Sequence, residues 1–330
     1  MSVSLRPVTG SLDELVPLLR EWIEGDDPLW IRTSGSTGQP KDVVLPPRAV
    51  RASATATHAR LGGPGQWLLA VPPTGVAGLQ VVVRSLLTGI EPVTSLDAYT
   101  ADRRYASLVP TQLHRVLEAG EAAPWAELDA VLVGGGPVRP SLVQRAREAG
   151  IHVVRTYGMS ETCGGCVYDG FPLDGVRLRI DEGQVMVAGD VLFDGYVGAP
   201  RTEEWFATND LGEIVAGELR ILGRVDDVVL SGGVNVPLPA VTGALQDAAG
   251  VADALAIGVD DEEWGQRVVA LVVPADVVCL EGLSAERLRD AVEDAGHPRA
   301  WGPRDVRLVD AIPMLPNGKP DRLAARSLLT

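Results

Sequence analysis

Lysine is almost missing from this chain: of 29 basic residues only Lys41 and Lys319 are lysines, and the rest are arginines. Positive charge as a whole is scarce. The 29 Lys and Arg face 44 Asp and Glu, for a formal net charge of −15 at pH 7. Such a balance speaks against nucleic acid or an anionic membrane surface as the main partner. Cysteine is nearly absent too. Cys163, Cys166 and Cys279 are too few, and odd in number, for a disulfide framework, and they fit a reducing cytoplasm. Cys163 and Cys166 spell C-x-x-C, but a zinc site needs two further ligands, and nearby only His152 is offered. They read as small residues beside a glycine turn, with a thioredoxin-like redox pair as the alternative. No apolar run approaches the roughly 20 residues that span a bilayer. The first residues, Met1 to Arg6, lack the charged and apolar regions of a signal peptide, so the expected location is cytoplasmic.

What is present is a globular composition: 330 residues, 46% hydrophobic and 22% charged, enough for one large or two ordinary domains. Ser11 to Glu14 fits a capping box, and Leu12, Leu15, Leu19, Trp22 and Ile23 follow at helical spacing, with Pro17 a candidate kink. Strand-like runs at 67–71, 107–109, 130–133 and 151–155 alternate with helical patterns at 79–87, 112–118 and 141–149. That alternation predicts a largely parallel sheet covered by helices. Beyond residue 172 the texture changes to short antiparallel strands at 176–180, 184–187, 213–216 and 218–222. From Gly223 onward, helices at 239–248 and 284–295 and strands at 254–259 and 268–273 outline a small α+β unit. The expected fold is therefore α/β: a large N-terminal domain over residues 1–223 with parallel-rich sheets and a small antiparallel section. A small, mobile C-terminal α+β domain is expected over 224–330.

The first lysine closes Thr33-Ser34-Gly35-Ser36-Thr37-Gly38-Gln39-Pro40-Lys41. Two glycines, four hydroxyls and a terminal ammonium suit a loop that wraps phosphate oxygens. It is not a Walker A loop: Pro40 stands where the second Gly belongs, and Asp42 follows the lysine. Four more blocks follow in order. They are Tyr157-Gly158-Met159-Ser160-Glu161-Thr162, then Thr208-Asn209-Asp210-Leu211-Gly212, then Gly223-Arg224-Val225-Asp226-Asp227, and finally Leu315-Pro316-Asn317-Gly318-Lys319. Together with the loop, these resemble the motifs of the adenylate-forming enzymes, which include acyl-CoA synthetases and non-ribosomal adenylation domains.

That resemblance implies a carboxylate attacking the α-phosphate of ATP, and a thiol then displacing AMP. It implies that Thr33, Ser34, Gly35, Ser36, Thr37 and Gly38 wrap the phosphates, that Lys41 steadies the β- and γ-phosphates, and that Glu161 holds Mg²⁺. It places Ser160 on the α-phosphate and Tyr157 against adenine. Gly134, Gly135 and Gly136 would let backbone approach the base, while Asp210 takes the ribose hydroxyls with Arg224 beside it. Lys319 matches the lysine that contacts the reacting oxygens, where a compact, mobile ammonium suits a loose transition state. Asp226 matches the hinge of a rotating C-terminal domain. Ser231-Gly232-Gly233-Val234-Asn235, with Gly232 and Gly233 at its centre, matches the segment that enters the site for thioester formation.

Val71 to Leu79, followed by Arg84, and Ser160 to Gly170 resemble the o-succinylbenzoate–CoA ligases of menaquinone biosynthesis. The resemblance implies ATP, CoA and o-succinylbenzoate as substrates. The alternatives are another aryl or short acyl acid, or an adenylation domain that loads a carrier protein. Arg84 would meet a second carboxylate of the acid. Gly75 stands where that block often has histidine, and Gly164 and Gly165 would leave room for a flat ring. Asn209 replaces the usual Gly before Asp210, a position where Asn tolerates left-handed backbone. The segment ahead of the phosphate loop is short by comparison with the family, and a homodimer is the expectation that follows.

Overall fold

A computed structural model describes residues 3–33, 40–275, 283–314 and 320–329. It divides into two compact units. The first comprises Met1–Arg179, Met186–Ala207 and Ile214–Leu219; the second comprises Ile180–Val185, Thr208–Glu213 and Arg220–Thr330.

In the first unit, helix α1 (Leu12–Trp22) passes through Pro17 and buries Leu15, Leu19 and Trp22. The expected capping interaction is present in one direction, since Glu14 accepts from the Ser11 backbone N–H at 2.8 Å. Strands β1 (Leu29–Thr33) and β2 (Lys41–Leu45) then pair as an antiparallel hairpin, with Thr33 opposite Lys41 and Arg32 opposite Asp42. Helices α2 (Pro47–Arg60) and α3 (Val76–Leu87) cover this hairpin. Leu29, Ile31, Val43 and Leu45 from the hairpin share one apolar cluster with Val50, Leu79, Val82 and Val83 from the helices.

Between and beyond these helices runs the main sheet. Strands β3 (Gln66–Leu68), β4 (Arg104–Leu108), β5 (Ala130–Val133) and β6 (Val153–Met159) are successive parallel neighbours. Strand β5 has the buried, continuously apolar character of a strand covered on both faces, since all four of its residues are buried. Helix α4 (Pro110–Glu118) follows β4, and α5 (Pro140–Glu148) follows β5. After β6 the chain reverses through a short turn into β7 (Gly164–Tyr168), which pairs antiparallel to β6. The expected alternation is thus present from residue 66 to 159 with boundaries shifted by a few residues. The reversal at 160–163 ends it.

A separate four-stranded sheet holds β8 (Arg177–Asp181), β9 (Gln184–Ala188), β10 (Phe206–Val215) and β11 (Glu218–Arg224), in that order. The second unit continues with a tight hairpin of β12 (Val228–Ser231) and β13 (Val234–Pro237). Helix α6 (Leu238–Gln246) and the long pair β14 (Val251–Asp261) and β15 (Gly265–Pro274) follow. Helix α7 (Ala285–Asp294) then leads to β16 (Asp305–Leu308), which joins β15 in parallel. Val236, Val241, Leu245, Ala270, Val272, Leu288 and Val292 form this unit's own buried cluster. Among the described residues, no helix is long and apolar enough to cross a membrane.

Candidate active site

The first-unit residues singled out by sequence gather where parallel strands end. Gly134 follows β5, Tyr157 to Met159 close β6, and Gly75 caps α3 after β3. Ligands of open α/β sheets bind at this carboxyl edge. The glycine at 134 is required by strand spacing, because a Cβ there would stand 2.1 Å from Thr156 Oγ1 and 2.8 Å from the Thr156 carbonyl. Gly135 adopts a φ of +78°, the left-handed region that favours glycine.

The β1–β2 hairpin fixes both ends of the phosphate-loop sequence. Thr33 faces Lys41 across the ladder, and its Oγ1 lies 3.3 Å from the Lys41 carbonyl. The next pair, Arg32 and Asp42, forms a fork of two hydrogen bonds, each 2.9 Å. These bonds hold the Asp42 carboxyl below the usual carboxylate range. Ser34, Gly35, Ser36, Thr37 and Gly38 lie outside the described residues.

Strand register also assembles a polar constellation that sequence did not foresee. Gly195 and Tyr196 pair with β2, putting Tyr196 opposite Val43. Lys41 is two residues along the same strand, hence on the same face and diagonal to Tyr196. Its Nζ lies 5.2 Å from the centre of the Tyr196 ring. From there the Tyr196 hydroxyl donates to Glu161 Oε1 at 2.9 Å. Burial, followed by the Glu161 charge, pushes the Tyr196 phenol well up, so it stays protonated and able to donate. The Glu161 carbonyl accepts from Phe193 N–H at 3.0 Å, which ties residues 193–196 to the turn carrying Glu161. A signal for Tyr196 did exist: one of five tyrosines, set between Gly195 and Gly198.

The turn itself, Ser160–Thr162, is held by Thr162. Its Oγ1 accepts from Met159 N–H at 2.9 Å and lies 2.7 Å from the Gly164 carbonyl. Cys163 then takes a φ of 52° and Gly164 a φ of +106°. Cys163 and Cys166 are fully buried, and Cys163 packs within the apolar cluster of the helices and hairpin. Burial pushes the Cys163 thiol well up and the Cys166 thiol to about 12. Neither is a nucleophile or ready metal ligand near neutral pH. Cys279 lies outside the described residues.

Two acyl-site expectations meet a different environment. Arg84 is 3% exposed, with its guanidinium 4.7 Å from the Trp67 ring and Nη2 donating to the Tyr168 hydroxyl at 3.3 Å. No carboxylate pairs with it among the described residues, so it is a packed interior cation instead of an open receptor for a second carboxylate. The glycines of β7 likewise serve packing. A Cβ at Gly165 would stand 2.8 Å from Tyr168 Cε1, and one at Gly164 would stand 3.1 Å from Gln80 Cγ. The space into which a side chain at either position would point is filled by protein.

The second unit carries the remaining described residues. Thr208 is buried; its Oγ1 donates to the Val185 carbonyl at 2.9 Å and accepts from Asp210 N–H at 3.1 Å. That fixes the start of the Asp210 backbone. Arg224 Nη1 lies 3.8 Å from Asp210 Oδ1, with the arginine side chain 43% exposed. Asn209 does not use the left-handed freedom expected of it. It lies in β10, and its Nδ2 donates to Asp226 Oδ2 at 2.6 Å. Gly232 and Gly233 form the two-residue turn between β12 and β13, both at positive φ as a type I′ turn requires. A Cβ at Gly232 would meet the Trp264 ring at 2.4 Å. Lys319 lies outside the described residues.

Comparison with known proteins agrees with this layout. The profile of AMP-binding enzymes matches residues 10–215, and that of the AMP-binding enzyme C-terminal domain matches residues 242–319. A probable 2-succinylbenzoate–CoA ligase of Mycobacterium tuberculosis is 43% identical over 331 residues, covering 92% of this chain and 85% of the relative. The 2-succinylbenzoate–CoA ligase of Escherichia coli is 33% identical over 73% of this chain, which spans 57% of that relative's length. Among solved structures, o-succinylbenzoate CoA synthetase from Bacillus subtilis with its acyl-adenylate intermediate superposes with a TM-score of 0.73. It is 26% identical, over 90% of this chain and 68% of the neighbour. The same Bacillus enzyme has also been solved with ATP and a magnesium ion, with a TM-score of 0.72. The five motifs in order, the parallel sheet with its carboxyl-edge site and these matches lead to one conclusion: the chain belongs to the AMP-binding, adenylate-forming enzyme family.

Proposed function

We propose that this chain is an ATP-dependent acid–thiol ligase that adenylates 2-succinylbenzoate and transfers the acyl group to CoA, releasing AMP and pyrophosphate. The observation that carries the reading is the Glu161–Tyr196–Lys41 constellation at the carboxyl edge of the sheet, in a chain 43% identical to a probable ligase of that name.

The first half-reaction brings a carboxylate to a polyphosphate, so charge must be neutralised as the new bond forms. Lys41, on a strand end fixed by the Arg32–Asp42 fork, meets the outer phosphates. Ser34 to Gly38 wrap them with backbone N–H groups and hydroxyls. Ser160 donates to the α-phosphate, and Lys319 contacts the oxygens that exchange charge there. Tyr157 lies against the adenine beside Gly134 to Gly136, and Asp210 with Arg224 takes the ribose.

The donor set fits Mg²⁺. Glu161 offers a half-buried carboxylate oxygen beside the one Tyr196 occupies, and no cluster of three potential metal ligands exists among the described residues. A hard ion that keeps its waters and binds through one carboxylate plus substrate phosphates needs no more than that. Bound there with ATP, Mg²⁺ would offset phosphate charge. Tyr196 keeps Glu161 oriented, and Thr162 holds the turn beneath it. For the second half-reaction, Asp226 is the pivot, and the Gly232–Gly233 turn passes close to the thiol arm.

The test is an acid panel assayed for AMP release with ATP, Mg²⁺ and CoA. Turnover of 2-succinylbenzoate at least a hundredfold above benzoate and palmitate is expected. An inert 2-succinylbenzoate beside an active acid of another class overturns the substrate assignment.

A further inference from the structure

Behind the turn that carries Glu161 lies a layer of buried polar side chains that the reaction as described does not use. Its centre is α3, where Gln80 and Arg84 stand one helical turn apart, both nearly fully buried (1% and 3% exposed). Gln80 Nε2 donates to the Cys163 carbonyl at 2.6 Å and to the Val50 carbonyl at 3.2 Å. Its Cγ would stand 3.1 Å from a Cβ placed on Gly164. Arg84 Nη2 donates to the Tyr168 hydroxyl, which also lies 2.9 Å from Thr57 Oγ1, and the Tyr168 ring backs Gly165 in turn. The guanidinium lies over Trp67, 4.7 Å from its ring centre, and the Trp67 Nε1 donates to His58 Nε2 at 3.3 Å.

We infer that Gln80 and Arg84 are positioning residues that set where the Cys163–Gly165 backbone lies, and through it the shape of the acyl side of the site. The inference rests on the reading that Gly164 and Gly165 border the acid. The chemistry favours it over simple core filling. A buried guanidinium with no carboxylate partner among the described residues and a buried amide are costly choices where leucine would pack. Gln80 aims its amide N–H at this segment directly, whereas Arg84 aims at the Tyr168 hydroxyl at the far end of β7. Gln80 grips that segment at its start, and Arg84 grips it through Tyr168 at its end. Thr162 holds it from the opposite side through the Gly164 carbonyl. Residues 163–165 carry two successive positive-φ positions; the Thr162 bond and the pairing with β6 hold them locally, and Gln80 adds the tie from α3 that its loss would remove.

Gln80→Met keeps the volume and removes the donor; Arg84→Met removes charge and donor, whereas Arg84→Lys keeps the charge. Each is made in a Cys279→Ser background and read in two ways. The first is steady-state kinetics of wild type and variants with 2-succinylbenzoate and ATP. Gln80→Met and Arg84→Met should raise KM for the acid about tenfold, leave KM for ATP within twofold, and Arg84→Lys should recover most of the loss. The second needs no turnover: the rate at which a thiol reagent labels Cys163 and Cys166, which should rise at least tenfold in both Met variants while the thermal midpoint moves by only a few degrees. Equal changes in both KM values, or labelling no faster than wild type, overturn the inference. A wild type inert towards every acid overturns the functional reading instead, and the labelling comparison then still decides whether Gln80 and Arg84 hold the turn.

Discussion

The two units present their functional residues in different ways. In the first, Glu161 is held by Tyr196, Tyr196 by the register of β2, and the Glu161 turn by Thr162 and Gln80. In the second, Asp210 and Arg224 stand 3.8 Å apart with the arginine largely in solvent, and Asn209 meets Asp226 at the end of a strand. An ion pair of that length and exposure contributes little. The groups proposed to meet concentrated phosphate charge are thus preorganised by sheet geometry. Between the groups assigned to ribose and pivot, the bonds shown are a long ion pair and a single side-chain hydrogen bond.

The strongest way to sharpen this contrast is Lys319→Ala. Adenylation should fall by roughly a hundredfold to a thousandfold, as for loss of one aligned charge-stabilising donor. Thioester formation from supplied acyl-adenylate should persist within a few-fold, which quenched-flow separation of the half-reactions would measure. Equal loss in both halves removes Lys319 from its role. Next in size is Tyr196→Phe. If Tyr196 preorganises Glu161, kcat for adenylation should drop about tenfold and the Mg²⁺ concentration for half-maximal rate should rise; an unchanged Mg²⁺ dependence breaks the preorganisation argument.

Asn209→Gly probes the looser region. Releasing Asp226 should change the thioester half-reaction two- to fivefold while adenylation stays within twofold. The same change in both would make Asn209 a structural residue only.

A smaller effect concerns pH. His58 is pushed down to about 4, chiefly by burial and then by the Arg84 charge, whereas an unfolded histidine titrates near 6.5. Between pH 6.5 and 4 the unfolded chain takes up a proton that the folded one refuses, so stability falls as pH falls through that window. Relative to His58→Gln, the wild type should lose on the order of 2 kcal/mol there, measured by urea titration. Parallel curves for the two would show that His58 is not held neutral. Smallest of all, Cys163→Ala with Cys166→Ala should retain AMP-forming turnover within twofold, at the cost of some core packing; loss of turnover without unfolding would restore the cysteines to a chemical role.

Much of the fold was legible because its signals are local. The apolar run of Ala130–Val133 and the helical spacing after Ser11 each declare an element from a few neighbouring residues. The hairpin of β1 and β2 was not read, because its stems carry charge at Arg32, Lys41 and Asp42 that obscures the alternation. Arg84 was read by its charge as facing a ligand. Only packing shows that Trp67 and Tyr168 enclose it.

By itself, then, the sequence determined the family, the order of the phosphate, carboxylate and hinge motifs, and the residue types the chemistry needs, since these are contiguous strings with a physical reason for each member. Which side chains hold those residues was decided only by tertiary structure. Tyr196 reaches Glu161 across 35 positions and Gln80 reaches Cys163 across 83. Contacts that distant leave no periodicity in the chain, because strand register and helix packing bring the partners together only once the core has formed.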